Sequence, residues 1–277
     1  MLALTALAGL MAFLWPLFVA PQGVEQFMSR TPFLFAAILP AVLALVLTEL
    51  SSKSIDVKAL AMLGVLVAVG AALRPMGSGM AGTELVFFVI ILGGRAFGSG
   101  FGFLQGILTL FASALLTGGV GPWLPYQMIA AGFIGLLAGL LPQWRGKTEI
   151  VVLCVYGFVS AFVYGWLMDF ALWPYTVGMY SDLSWDPTAT VAHNLHTFVL
   201  YNLATSMGWN LLRGVTNGVA ITVLGPGVLL VLRRTIRKAN FVPEKGLEPS
   251  HLAAQEPKSC VSANSTTSAR PDGASPF

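Results

Sequence analysis

The stretch "TELVFFVIILGG", residues 83–94, decides how this chain is threaded. It is too short for an ordinary membrane span, yet too apolar for a surface turn. Seven longer apolar runs surround it, near 2–20, 32–50, 57–73, 101–117, 125–142, 149–172 and 211–232. If 83–94 crosses, there are eight helices and both ends of the chain share a side. Lys53, Lys58, Arg95, Arg145, Lys147, Arg233, Arg234, Arg237, Lys238, Lys245, Lys258 and Arg270 then lie inside, and only Arg30, Arg74 and Arg213 outside, 12 against 3. If it turns back, Arg95, the 145–147 pair and "RRTIRK" all move outside. Short cytoplasmic loops carry the excess of Lys and Arg, so the eight-helix threading is expected, with both termini cytoplasmic.

Composition agrees. The 277 residues are 56% hydrophobic and 10% charged, with mean hydropathy +0.78. A soluble domain carries about 25% charged residues, and a chain this apolar needs the bilayer as solvent. The run "MLALTALAGLMAFLWPLFVAP" lacks a basic n-region and exceeds a usual signal peptide, so it reads as a retained helix. The net charge of +3 is too small to point to nucleic acid. Cys154 and Cys260 lie in unlike settings and give neither a disulfide framework nor a zinc site.

The organisation expected is an all-α integral membrane protein in three parts. Residues 1–55 form a two-helix addition set off by "SSKSID". Residues 56–238 form a six-helix core. Residues 239–277, rich in Pro, Ser, Ala and Thr, form a disordered cytoplasmic tail. One long outer connection, 173–205, has a second half of helical character suited to lying at the membrane interface.

Several chemistries are weak here. "LPQWRGKT" ends like a P-loop, but Leu141 stands where the first glycine belongs and no parallel-sheet context surrounds it. His193 and His196 share a helix face, without an obvious third ligand. Ser99 and the histidines are expected on opposite sides of the membrane, which separates a nucleophile from its base. The acids Glu49, Asp56 and Glu149 inside, and Glu25, Glu84 and Asp169 outside, are scattered. That counts against the alternative of a membrane-embedded enzyme acting on lipid or isoprenoid substrates.

Two patterns are stronger. Small residues recur four apart at Gly64, Ala68 and Ala72, at Gly102 and Gly106, and at Gly135 and Gly139. Such stripes let helices approach closely, within the chain or against a partner, and spacing alone does not separate these roles. A structural membrane protein working through these faces alone is a third reading. Polar residues also gather in the outer halves of the helices: Arg74, Glu84, Gln127 below Trp123 and Tyr126, Asp169, and the one-faced set Asn210, Arg213 and Asn217. Apolar and aromatic walls with a few fixed polar groups make a small-molecule pocket. Singly, each has an ordinary interfacial reading: aromatics in a belt, arginines snorkelling to headgroups.

Residues 72–142 resemble the substrate-specific (S) components of energy-coupling factor (ECF) transporters, a vitamin-uptake branch of the ABC systems. The likeness rests on Arg74-Pro75 closing a helix, on the Gly-Arg-Ala-Phe-Gly turn at 94–98, and on "GGVGPWLPYQM" followed by a small-residue helix with "GLLAGLL". It extends over 57–238. It implies a six-helix substrate-binding core that captures a vitamin or related micronutrient at the outer face of the plasma membrane, without hydrolysing ATP or holding a cofactor. It also implies partners: a membrane coupling subunit and two ATPases. Docking would run through the first core helix, where the family carries an alanine-x-x-x-alanine motif. Ala68 and Ala72 match it, and Gly64 and Ala68 sit nearer mid-helix. A corrinoid is the favoured substrate, on a loose likeness to cobalamin carriers and on the long outer loop.

Overall fold

The computed structural model describes residues 9–11, 13–14, 40, 42–44, 57–77, 83–176, 181–186 and 188–241. Seven helices of the core follow in order: α1 (Val57–Met76), α2 (Val86–Phe97), α3 (Ser99–Thr117), α4 (Leu124–Leu140), α5 (Lys147–Thr176), α6 (Val191–Thr205) and α7 (Met207–Phe241). The protein is all-helical, with no strand among the described residues. The expected two-helix addition and disordered tail lie almost wholly outside those residues.

Within 57–241, α1, α3, α5 and α7 contain stretches long and apolar enough to cross a membrane, while α2 and α4 are shorter. Most of the surface of α1, α5 and α7 is uncovered by other helices. Val65, Val69, Val155, Val159, Val163, Val223 and Leu224 stand exposed on them. Apolar side chains in that setting belong against lipid tails.

The difficult stretch 83–94 is helical, and its shortness has a physical reason. Every residue from Val86 to Arg95 is buried. A helix apolar all round is one that its neighbours enclose, and α2 sits in contact with α1, α3, α4 and α5. Gly98, at φ 101°, ends it and starts α3.

The tightest packing joins α3 to α4 through the two glycine pairs. A β-carbon added at Gly102 would collide with the Gly135 carbonyl, and one at Gly135 with the Gly102 carbonyl. Gly106 lies as closely on Ala131, and Gly139 on the Ser99 backbone. Those stripes are internal. The third is not: Gly64, Ala68 and Ala72 are exposed, while Leu63, Leu66, Gly70 and Ala71 are buried. Nothing lies within 4 Å of a β-carbon built on Gly64.

The helix expected in the second half of 173–205 is α6. Thr190 caps it, its side chain accepting from the His193 N–H at 3.3 Å. Its buried face of Asn194, Thr197, Phe198 and Asn202 follows helical spacing. Phe198 meets Phe170 edge-on at 4.9 Å and Trp173 at 5.6 Å, so α6 packs on the end of α5. Asn194 clamps the preceding loop: its Nδ2 donates to the Asp186 carbonyl at 2.7 Å, and its Oδ1 accepts from the Asp186 N–H at 3.1 Å.

The two kinds of small-residue stripe predict opposite outcomes. Gly135→Val forces α3 and α4 apart and costs about 1–3 kcal/mol or more, as overpacking does. Gly64→Ala leaves stability unchanged. Thermal unfolding of the detergent-solubilised protein distinguishes them: a melting temperature lowered by the first variant only.

Candidate functional site

Four helix ends and the segment before α2 bring polar side chains to one end of the bundle. Arg74 comes from the last turn of α1, Glu84 from the residues leading into α2, and Gln127 from the first turn of α4. Asp169 comes from α5, and Asn210 and Arg213 from α7. These six line one cavity of about 210 Å³.

Charge dominates its centre. Arg213 is 8% exposed and makes a forked ion pair with Glu84: Nη2 to Oε1 at 3.0 Å, and Nε to Oε2 at 3.2 Å. This is the geometry that suits guanidinium to carboxylate. Nη1 of Arg213 donates to Asn210 Oδ1 at 2.9 Å, one helical turn back. The guanidinium also lies over the Tyr164 ring at 5.2 Å and near the Phe87 ring at 5.9 Å, within cation–π range. Gly165 admits Asn210 to this position, since a β-carbon there would strike the Asn210 amide.

The other two charges differ. Arg74 Nη2 donates to Gln127 Oε1 at 2.8 Å. Asp169 Oδ2 accepts from Asn202 Nδ2 at 2.5 Å. Both partners are neutral amides, and among the described residues neither Arg74 nor Asp169 has an opposite charge within 4.0 Å. The cavity therefore holds one internally neutralised pair and two separate, unlike charges. Asn210 Nδ2 is buried with no partner among the described residues.

Three residues expected in the pocket lie elsewhere. Trp123 precedes α4 and is 44% exposed, away from the cavity. Tyr126 is 4% exposed and turned the other way, its ring meeting Phe13 at 5.2 Å. It differs from Gln127 by one residue, about 100° of helix rotation, which suffices to face a different neighbour. Asn217 lies one turn beyond Arg213, its Nδ2 donating to the Arg213 carbonyl at 2.9 Å. It extends the buried polar row away from the cavity.

Tyr164, Met168, Ser206 and Trp209 complete the wall. The signal for the first two was present: Tyr164, Gly165, Met168 and Asp169 have i, i+1, i+4, i+5 spacing, a single helix face. Away from this site, His193 and His196 are exposed on α6, and no group of three ligating side chains converges among the described residues.

The opposite end carries a second charged network. Glu149 receives Arg95 Nε at 2.7 Å and Arg233 Nη1 and Nη2 at 2.9 and 2.5 Å. Arg95 also donates to the Leu141 carbonyl at 2.8 Å. Arg213 and Arg233 are twenty positions apart on α7, as are Glu149 and Asp169 on α5. At 1.5 Å per residue each separation is about 30 Å, the thickness of a hydrocarbon core.

Residues 58–231 match the family model of the ECF transporter substrate-specific component. The chain belongs to that family. Comparisons with curated proteins and with solved structures returned no match. As an S component it is a multi-pass plasma-membrane protein and the substrate-binding subunit of an ECF transporter, not an enzyme. Its family implies association with the ECF transmembrane and ATPase modules.

The forked pair predicts an asymmetry. Glu84→Leu leaves the Arg213 charge buried and unpaired, at a cost of about 3–5 kcal/mol. Arg213→Met costs less, because the Glu84 side chain keeps 28% of its exposure against 10% for Arg213. The double variant recovers much of the loss. Thermal unfolding of the four proteins of this cycle gives the comparison.

Proposed function

We propose that this S component captures a compact, amphoteric nutrient of the vitamin class in the cavity between Arg74 and Asp169. The supporting observation is the pair of unlike charges there, Arg74 on the Gln127 amide and Asp169 on the Asn202 amide and the Ser206 hydroxyl, with neutral partners only among the described residues. Arg74 suits an acidic or carbonyl-rich group of the substrate. Asp169 suits a cationic or N–H-bearing group. The free Asn210 amide N–H offers a further donor. Tyr164 and Trp209 supply aromatic wall for a heterocycle. The Glu84–Arg213 pair organises the site, and Asn217 supports it from outside the cavity through its bond to the Arg213 carbonyl, while Trp123 and Tyr126 take no part in its lining.

A volume of about 210 Å³ lies below the range of about 300–1,000 Å³ common for drug-sized ligands. It favours a smaller molecule than the corrinoid that the long connection suggested. A corrinoid would need a wider opening at this end. The excess of Lys and Arg at the Arg95–Arg233 end supports a cavity facing outward, with both termini cytoplasmic.

The exposed stripe Gly64, Ala68 and Ala72 is the proposed docking face for the coupling subunit, because close backbone approach is what small residues permit. Gly64 and Ala68 leave the widest smooth strip near mid-helix.

Equilibrium binding of a panel of labelled vitamins to the purified chain, without nucleotide, tests the main reading. One member should bind at submicromolar level, and no binding by any would refute the assignment. Arg74→Ala and Asp169→Asn should each weaken that ligand about 10–100-fold, the worth of a hydrogen bond to a charged group. Ala68→Leu should leave ligand affinity intact and reduce co-purification of the coupling subunit and ATPases. Unchanged co-purification would move the docking face elsewhere.

A further inference from the structure

The end of the bundle opposite the substrate cavity contains a larger one, of about 830 Å³. Four cations line it: Arg145 and Lys147 from the α4–α5 junction, and Arg233 and Arg237 from the last turns of α7. Glu149 is the one acid in that lining, and it is already committed. Both of its oxygens accept from Arg233, and one also from Arg95. Counting Arg95, five cations share one carboxylate, a surplus of four charges. Arg145, Lys147 and Arg237 are exposed. None of the three has an ion-pair partner among the described residues.

The same cavity has an apolar side. Leu230 lines it and is 62% exposed. From there α7 continues towards mid-membrane with Val223 and Leu224, 70% and 52% exposed. The cationic recess thus opens onto a lipid-facing flank. α5 begins at Lys147, and its first N–H groups add positive potential at the same level.

From this combination we infer that the recess is a binding site for an anionic phospholipid. The phosphodiester sits among Arg145, Lys147 and Arg237, and the acyl chains lie along the exposed face of α7. Basic recesses between membrane helices hold acidic headgroups in this way. A free anion would use the cations but not the apolar flank. An acidic segment of a partner protein would likewise leave Leu230 and Leu224 unused. This site does not depend on the substrate assigned to the other cavity, nor on which way the chain is oriented.

The test uses the full chain purified in phosphatidylcholine nanodiscs with and without phosphatidylglycerol. Retained lipid is read by native mass spectrometry and melting temperature by tryptophan fluorescence. Wild type should retain phosphatidylglycerol selectively and melt higher with it. The triple variant Arg145→Gln, Lys147→Gln, Arg237→Gln alters only exposed side chains, so it should fold and keep its substrate affinity. It should lose phosphatidylglycerol affinity on the order of a hundredfold, at about fivefold per cation. Arg234→Gln, an exposed charge outside the recess, should behave as wild type. Three results would overturn the proposal. The triple variant could retain phosphatidylglycerol undiminished. Inorganic phosphate could raise the wild-type melting temperature as much as the lipid does, which would make this a free-anion site. Or the triple variant could bind lipid normally but fail to co-purify with the coupling subunit, which would assign the recess to a protein partner.

Discussion

Helix α2 is only twelve residues long, buried on every side, and charged at or beside both ends. Glu84, two residues before it, pairs with Arg213 of α7. Arg95, in its last turn, pairs with Glu149 of α5 and through it reaches Arg233 of α7. An apolar helix among apolar neighbours has little to fix its depth, because sliding by a turn exchanges one greasy contact for another. Charges remove that freedom. Each carboxylate has a guanidinium at one level only, and leaving either unpaired in a low-dielectric interior is costly. The ion pairs, together with the buried hydrogen bond from Gln105 Nε2 to the Val89 carbonyl at 3.0 Å, therefore set the axial register of α2 and with it the level of both charged ends.

That register has consequences for the cavity between Arg74 and Asp169. Glu84 is spent on holding Arg213, so the strongest charge pair near the site is structural. The groups left for a proposed ligand are those whose partners are weaker: Arg74 on Gln127, Asp169 on Asn202 and Ser206, and the Asn210 Nδ2, which has no partner among the described residues. A ligand that replaces an amide at a charged group gains a charge-assisted bond and sacrifices a weaker one. A ligand competing for Arg213 would first have to break a buried fork. On the proposed function, substrate recognition falls at the edges of the network and not at its centre.

Much of this was legible in the sequence, and the boundary of legibility is physical. The core helices announced themselves because a 30 Å apolar slab imposes run lengths that hydropathy reads directly. The convergence of Arg74, Glu84, Gln127, Asp169, Asn210 and Arg213 followed from threading alone, since a membrane assigns every helix end to one of two levels. Pairing did not follow. Glu84 and Arg213 are 129 residues apart, and level says nothing of azimuth. The same gap misplaced Tyr126, which shares its level with Gln127 but faces Phe13. It also hid the Arg95–Glu149–Arg233 network, whose members the sequence presented only as charges on one side. The glycine stripes show the limit clearly. Gly102–Gly106, Gly135–Gly139 and Gly64–Ala68–Ala72 have the same spacing, and only the fold separates two stripes that form one internal seam from one exposed face.

The exposed stripe and the cavity meet in α1. Ala72 belongs to the stripe, and Arg74, two residues on, belongs to the cavity wall. Between them the helix is continuous, and its inner face is seated by Leu63, Leu66, Gly70 and Ala71. Gly70 rests directly on Thr109 of α3. A partner pressing on Gly64 and Ala68 would bear on a helix that has one side packed and the other free. Rotation of α1 by even part of a turn would carry Arg74 off Gln127, whose own helix is locked to α3 through the glycine seam. Among the described residues Arg74 is held by a single bond to a neutral amide and Arg213 by a forked ion pair, so α1 is joined to this cavity by a weaker polar tie than α7.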